Sequence, residues 1–145
     1  MIQNARLLNN KMEYPINNIV RVILENNEKE ILFLKRATAT GFNKWALPGG
    51  KVEYGQSLEM ACIEEMNQET DLKISGLKFL FYEETLPFII DKNHWITFYF
   101  SADYFGEIQL NEESSASHWI SRGRLPNYDV AFGHEKVVQK YFEKQ

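Results

Sequence analysis

The stretch Gly49–Leu72, GGKVEYGQSLEMACIEEMNQETDL, decides how the rest of the chain is read. It opens on a paired glycine behind Pro48, a turn whose backbone can come close to another group. Ser57 is a helix N-cap candidate, Glu59 suits the positive first turn, and helix formers run on to Glu69. On a helix with Glu65 at zero, Gln68 falls near −60° and Glu69 near +40°, an arc of about 100°. Ile63, Met66 and Thr70 fall roughly opposite, where they are expected to pack into the core. One helix face therefore presents two carboxylates and an amide beside a glycine turn. Glu65 and Glu69 are like-charged i,i+4 neighbours, and no Lys or Arg stands between Ser57 and Asp71 to relieve them. A hard divalent cation such as Mg²⁺ would do so, since it takes one or two protein carboxylates together with substrate phosphates. The plainer alternative is a solvated acidic helix face.

The rest of the chain sets bounds on that choice. At 145 residues there is room for a single domain, 1–145, in which 1–15 reads as a polar N-terminal tail or short edge strand. Apolar residues at 44% and charged residues at 25% exclude a disordered or fibrous chain. A net charge of −4 and a pI near 5.4 argue against nucleic acid and against an anionic membrane surface as partners. Cys62 is the only cysteine, so there is no intramolecular disulfide and no Cys-rich zinc site. With no secretory leader and no apolar run of about 20 residues, the expected location is cytoplasmic.

Around the helix the pattern is strand-rich. Ile16–Leu24 and Ile31–Leu34 flank an Asn-containing turn and read as a β-hairpin. Leu77–Glu83 and Trp95–Ala102 read as strands, with shorter ones at Gly106–Leu110 and near His118–Ile120. His134–Lys144 carries Val137, Val138, Tyr141 and Phe142 at helical spacing and reads as a closing amphipathic helix. The class is α+β: a mixed central sheet between one internal and one terminal helix. His134-Glu135-x-x-x-Gln139 does not complete a zinc-protease motif and reads as helix surface, while Trp45, Tyr54, Phe42 and Trp95 are aromatic faces on which a base could stack.

On these residues the sequence resembles the Nudix hydrolase family, whose signature is G-x5-E-x7-R-E-U-x-E-E-x-G-U with U apolar. Gly50, Glu65, Met66, Glu69 and Leu72 fit it, as do the lead-in Trp45–Glu53 and Leu34-Lys35-Arg36 before it. The resemblance runs from about Ile16 to Phe142 and implies a Nudix-type α/β/α sandwich. Four positions depart: Gln56 for Glu, Glu64 for Arg, Gln68 for Glu and Asp71 for Gly. Asp tolerates a left-handed helix end. Gln56 and Glu64 together remove a charged pair, and Gln68 turns a ligand carboxylate into an amide whose lost charge Glu64 could supply.

The resemblance implies hydrolysis of a pyrophosphate bond in a nucleoside diphosphate linked to another moiety, with Mg²⁺ or Mn²⁺. It makes Glu65 and Glu69 catalytic and metal-binding, and adds Gly49, Gln68 and Glu64 to the metal-facing set. Arg36, Lys51, Trp45 and Glu53 become the substrate-binding candidates, a nucleotide or nucleotide-sugar the substrate, and a homodimer an open expectation. The alternative is a catalytically impaired module of the same fold that binds a nucleotide or a partner protein.

Overall fold

The structure, a computed structural model, describes residues 15–87 and 92–145, so the expected tail or edge strand at 1–15 lies almost wholly outside the described residues. The elements in chain order are β1 (Ile16–Ile23), β2 (Glu30–Arg36), β3 (Trp45–Ala46), β4 (Gly49–Lys51), α1 (Leu58–Thr70), β5 (Lys73–Thr85), β6 (His94–Phe105), β7 (Ser114–Ser121), a 3-10 turn (Leu125–Asn127) and α2 (His134–Glu143). One sheet is four-stranded and mixed in the order β4-β1-β6-β5, with β1 parallel to β6; the other is antiparallel in the order β3-β2-β7.

The expected hairpin opens into two sheets. β1 and β2 meet only through an isolated Glu25–Ile31 bridge and the backbone bonds Asn26 N–Glu30 O and Leu32 N–Leu24 O. The cause lies in their composition. Val20, Val22 and Ile23 in β1, and Ile31 to Leu34 in β2, are apolar and buried on both faces, so each run needs cover above and below and a neighbour on either edge. Each strand is accordingly the interior strand of its own sheet region.

Alternation then sorts the core into two layers. Val20, Val22, Leu24, Leu32, Leu34 and Phe100 pack under Ala61, Cys62 and Met66 of α1. Ile23, Ile31, Phe33 and Tyr99, pointing the other way, pack under Val137, Val138 and Tyr141 of α2. This is the expected sandwich, one helix on each side. None of the described helices is long and apolar enough to cross a membrane.

Two details position the site. Ser57 caps α1 as expected, its Oγ accepting from Met60 N at 3.1 Å, and Asp71 ends it at φ 62° with its N–H donating to Asn67 O. The core stripe of α1, however, runs through Ala61, Cys62, Met66, Glu69 and Thr70, leaving Ile63 40% exposed. The stripe is centred closer to Glu69 than the apolar residues alone indicated, so Glu69 lies inside the packing face. In addition, Gly106–Leu110 forms no strand. Gln109 N instead donates to Thr70 O at 2.8 Å and Asn111 Nδ2 to Gln68 O at 3.1 Å, so this segment closes the carbonyl end of α1. That path delivers Glu113 to the edge of the site.

Candidate functional site

Leu47-Pro48-Gly49 is held by four polar contacts from three elements, β1, α1 and α2. Val22 N donates to Pro48 O at 2.9 Å, and Arg21 donates to Leu47 O at 2.9 Å. Leu47 N donates to His134 Nδ1 at 3.0 Å, and Gly49 N to Glu69 Oε1 at 3.0 Å. Gly49 sits so close to β1 that a Cβ there would lie 1.9 Å from Val20 O. At Gly50 a Cβ would lie 2.5 Å from the carboxyl carbon of Glu65. The two glycines thus have different jobs: one lets strand meet strand, and the other leaves room for a carboxylate.

Glu69 is 7% exposed and Glu65 half-buried. Burial is the main reason both titrate high, Glu65 pushed up to about 7 and Glu69 to about 8. Glu113 raises both further, Glu53 and Glu64 add to Glu65, and Arg21 together with the Gly49 N–H partly offsets the effect at Glu69. The pair is short of positive charge.

These groups line one cleft of about 820 Å³. Of the sequence-derived substrate candidates, Arg36, Lys51 and Glu53 line it. Trp45 does not: it is buried and stacked on His118 at 4.5 Å, because the alternation of β3 turns its ring into the α2-side core. Tyr54 and Phe42 are exposed away from the cleft, whereas Trp95 lines it. Gln68 and Glu64 of the metal-facing set stand exposed outside the lining. Glu64 instead accepts from Gln56 Nε2 at 2.5 Å, so two of the signature departures are each other's hydrogen-bond partners. An amide–carboxylate bond occupies the place of a carboxylate–guanidinium pair. His134, expected on the helix surface, is 1% exposed, and burial, with Arg21 and Arg36 nearby, holds its pKa well below 6.5. As the acceptor of the Leu47 N–H it is a neutral pin under the glycine turn.

Arg21, Glu113 and Phe132 are among the cleft residues that escaped the sequence reading. Arg21 is the one charge in the β-branched run of β1, and that oddity was its only signal. Glu113 had none, since its place depends on how the preceding segment caps α1. Phe132 stands at φ 60° before Gly133 at φ 68°, a conformation that costs a non-glycine residue about 1 kcal/mol or more. Its ring lies 5.4 Å from the Arg21 guanidinium carbon and 5.0 Å from that of Arg36. Arg36 is also held by Thr40 O at 2.6 Å and Thr38 Oγ1 at 3.1 Å, with no carboxylate in ion-pair reach among the described residues. A cation so fixed, and unpaired, suits an incoming anion. Phe132→Leu, which keeps bulk but removes the π face, is expected to raise KM about five- to tenfold with a smaller change in kcat. An unchanged KM would show that Arg36 does not depend on that ring.

Comparison with known proteins agrees with this fold. The model of the NUDIX domain matches residues 16–141. The chain is 32% identical over 120 residues to an ADP-ribose pyrophosphatase of Methanocaldococcus jannaschii, covering 82% of this chain and 69% of that protein. It is 29% identical over 119 residues to the 8-oxo-dGTP diphosphatase of Escherichia coli, covering 81% and 90%. Among solved structures, a MutT NUDIX hydrolase from Burkholderia pseudomallei superposes with a TM-score of 0.77 at 20% identity, over 86% of this chain and 96% of that one. The NUDIX domain of Shewanella oneidensis NrtR, complexed with ADP ribose, also gives 0.77, at 18% identity over 97% of each. With the domain model matched over nearly all of the described residues and the two-layer sandwich shared with these structures, the chain belongs to the Nudix family.

Proposed function

We propose that the chain hydrolyses a pyrophosphate bond in a nucleoside diphosphate linked to a second moiety, a nucleotide or nucleotide-sugar, with Mg²⁺ or Mn²⁺. The observation that carries this reading is the carboxyl of Glu65 filling the space where Gly50 lacks a Cβ, one helical turn from a Glu69 fixed by Gly49 N–H. Among the described residues no three His, Cys, Asp or Glu side chains form a metal cage by themselves. Mg²⁺ needs none, because it keeps several waters and shares substrate phosphates, so a charge-deficient pair of carboxylates is a donor set that fits it. Glu65, Glu69 and the Gly49 carbonyl are the groups that would hold it. Bound there, the cation supplies charge neutralisation at the phosphates and a more acidic water.

The chain's own residues do the rest. Arg36, braced by Thr38, Thr40 and Phe132, and Lys51 on β4, both lining the cleft, take phosphate oxygens. Arg21, bonded to Leu47 O, lies near enough to Glu69 to favour its charged form, while the Gly49 N–H aims that carboxylate. Glu113, which lines the same cleft, is a further carboxylate beside the pair. The names of the relatives, an ADP-ribose pyrophosphatase and an 8-oxo-dGTP diphosphatase, support the substrate class.

The second reading, a nucleotide-binding module without turnover, draws on Gln56, Glu64 and Gln68 in the signature. A screen of ADP-ribose, nucleoside triphosphates, dinucleoside polyphosphates and sugar nucleotides with Mg²⁺ or Mn²⁺ separates the two. Phosphate or nucleotide release is expected from at least one class; tight binding without turnover of any would favour the module.

A stability measurement checks the metal independently. Because Glu65 and Glu69 titrate above 4.5 in the metal-free fold, the folded chain holds protons that the unfolded chain has lost. Their contribution is full below pH 4.5 and disappears as pH rises through about 7 to 8. Saturating Mg²⁺ competes with those protons and offsets the loss. It is expected to raise Tm by several degrees at pH 8.5 and scarcely at pH 5.5; an equal shift at both would place the ion elsewhere.

A further inference from the structure

The cleft reaches well beyond the carboxylate pair. Register carries it across the whole mixed sheet: Lys51 on β4 lies beside Ile19 on β1, Ile19 beside Thr97 on β6, and Thr97 beside Glu83 on β5. All four line the cleft. With strands about 4.8 Å apart, three spacings place Glu83 about 14 Å from the glycine strand, a span suited to a nucleotide with its phosphates at one end and its base at the other.

The two ends differ in charge. Arg36 and Lys51 sit with the metal-facing carboxylates, while at the far end Glu83 is the one charged side chain among the described lining residues and would repel a phosphate. Its Oε1 accepts from Tyr99 Oη at 3.0 Å, its sole partner among the described residues. Burial, together with Glu83, pushes the Tyr99 phenol above its ordinary pKa, so this hydroxyl remains a donor that orients the carboxylate. The row after Thr97–Glu83 on the same face is Trp95–Thr85, and half-buried Trp95 adds an aromatic face to the cleft. An oriented carboxylate beside an indole matches a flat ring that carries N–H groups.

On the pyrophosphohydrolase reading of this cleft, we infer that Glu83 is a specificity-determining residue that selects a purine with paired N–H donors, the guanine edge with its N1–H and 2-amino group. Two parallel donors meet the two carboxylate oxygens. Adenine offers one amino group beside a lone pair, which faces the carboxylate unfavourably, and hypoxanthine keeps N1–H but lacks the second donor. A sugar in the same place would interact through hydroxyls and show no preference among bases.

The test is calorimetric binding of GDP, IDP and ADP, each with Mg²⁺, to the wild-type chain and to E83Q. Glu83 is exposed and the glutamine oxygen can still accept from Tyr99, so the variant is expected to fold. Wild type is expected to bind GDP about tenfold or more tighter than ADP, with IDP between them, and E83Q to weaken GDP alone until the preference is gone. Equal wild-type affinities, no nucleotide binding, or an E83Q that weakens GDP and ADP alike would overturn the assignment. Hydrolysis without a base preference would leave the enzyme standing and remove this role for Glu83. A preference abolished in E83Q, with no nucleotide ever hydrolysed, would do the reverse.

Discussion

Glu69→Gln is expected to lower kcat/KM about 100-fold or more, because a charged ligand facing the cleft becomes a neutral amide at the point where phosphate charge must be offset. The fold should tolerate the change. The amide oxygen can keep the Gly49 N–H bond, so the turn retains its partner. Glu64→Gln makes the informative contrast. Glu64 is exposed and bonded to Gln56, and its variant should stay within about threefold of wild type. Steady-state hydrolysis of whichever substrate the screen identifies decides both. An equal fall in the two variants would return Glu64 to the metal-facing set and require a cleft wider than the one described. An unaltered Glu69→Gln would remove the metal pair from the chemistry altogether.

The glycine turn offers the other large effect, since adjacent positions should fail in different ways. In Gly49→Ala the new methyl would lie 1.9 Å from the Val20 carbonyl oxygen and 2.9 Å from the Arg21 Cα, backbone that cannot withdraw without separating β4 from β1. A loss of about 3 kcal/mol or more is expected, which thermal unfolding would register as a Tm about 10 °C lower. In Gly50→Ala the atoms nearest the methyl belong to the end of the Glu65 side chain, 2.5 Å away, and that end can swing aside. Stability should change by about 1 kcal/mol or less, while activity falls about as far as in a Glu65 variant, because the carboxylate is displaced from its seat. If Gly50→Ala were fully active, the Gly50–Glu65 contact would be incidental.

Much of the architecture could be read from the chain because its signals are local. Ser57 and Asp71 bracket α1 through their own side-chain and backbone geometry, and the spacing of Val137, Val138 and Tyr141 needs only a helix to make an apolar face. The hairpin failed for a non-local reason. Nothing between Glu25 and Glu30 reports that both flanking strands need cover on two faces and partners on two edges. The acidic pair was legible by spacing, but the degree of its burial was not, since Glu69 enters the packing face only through β1 and the glycine turn. Arg21, Glu113 and Phe132 reach the cleft from three segments far apart in sequence, and their meeting is a property of the sandwich. Trp45 shows the converse: it borders the glycine turn in sequence, yet one step of strand alternation points its ring away from the cleft.

The most direct measurement is anomalous diffraction from crystals grown with Mn²⁺ and a non-hydrolysable nucleotide diphosphate. A peak is expected within about 2.3 Å of carboxylate oxygens of both Glu65 and Glu69, with a phosphate oxygen completing the shell. A peak held by other residues, or these two side chains turned apart with the nucleotide bound, would contradict a metal-dependent site at the glycine turn.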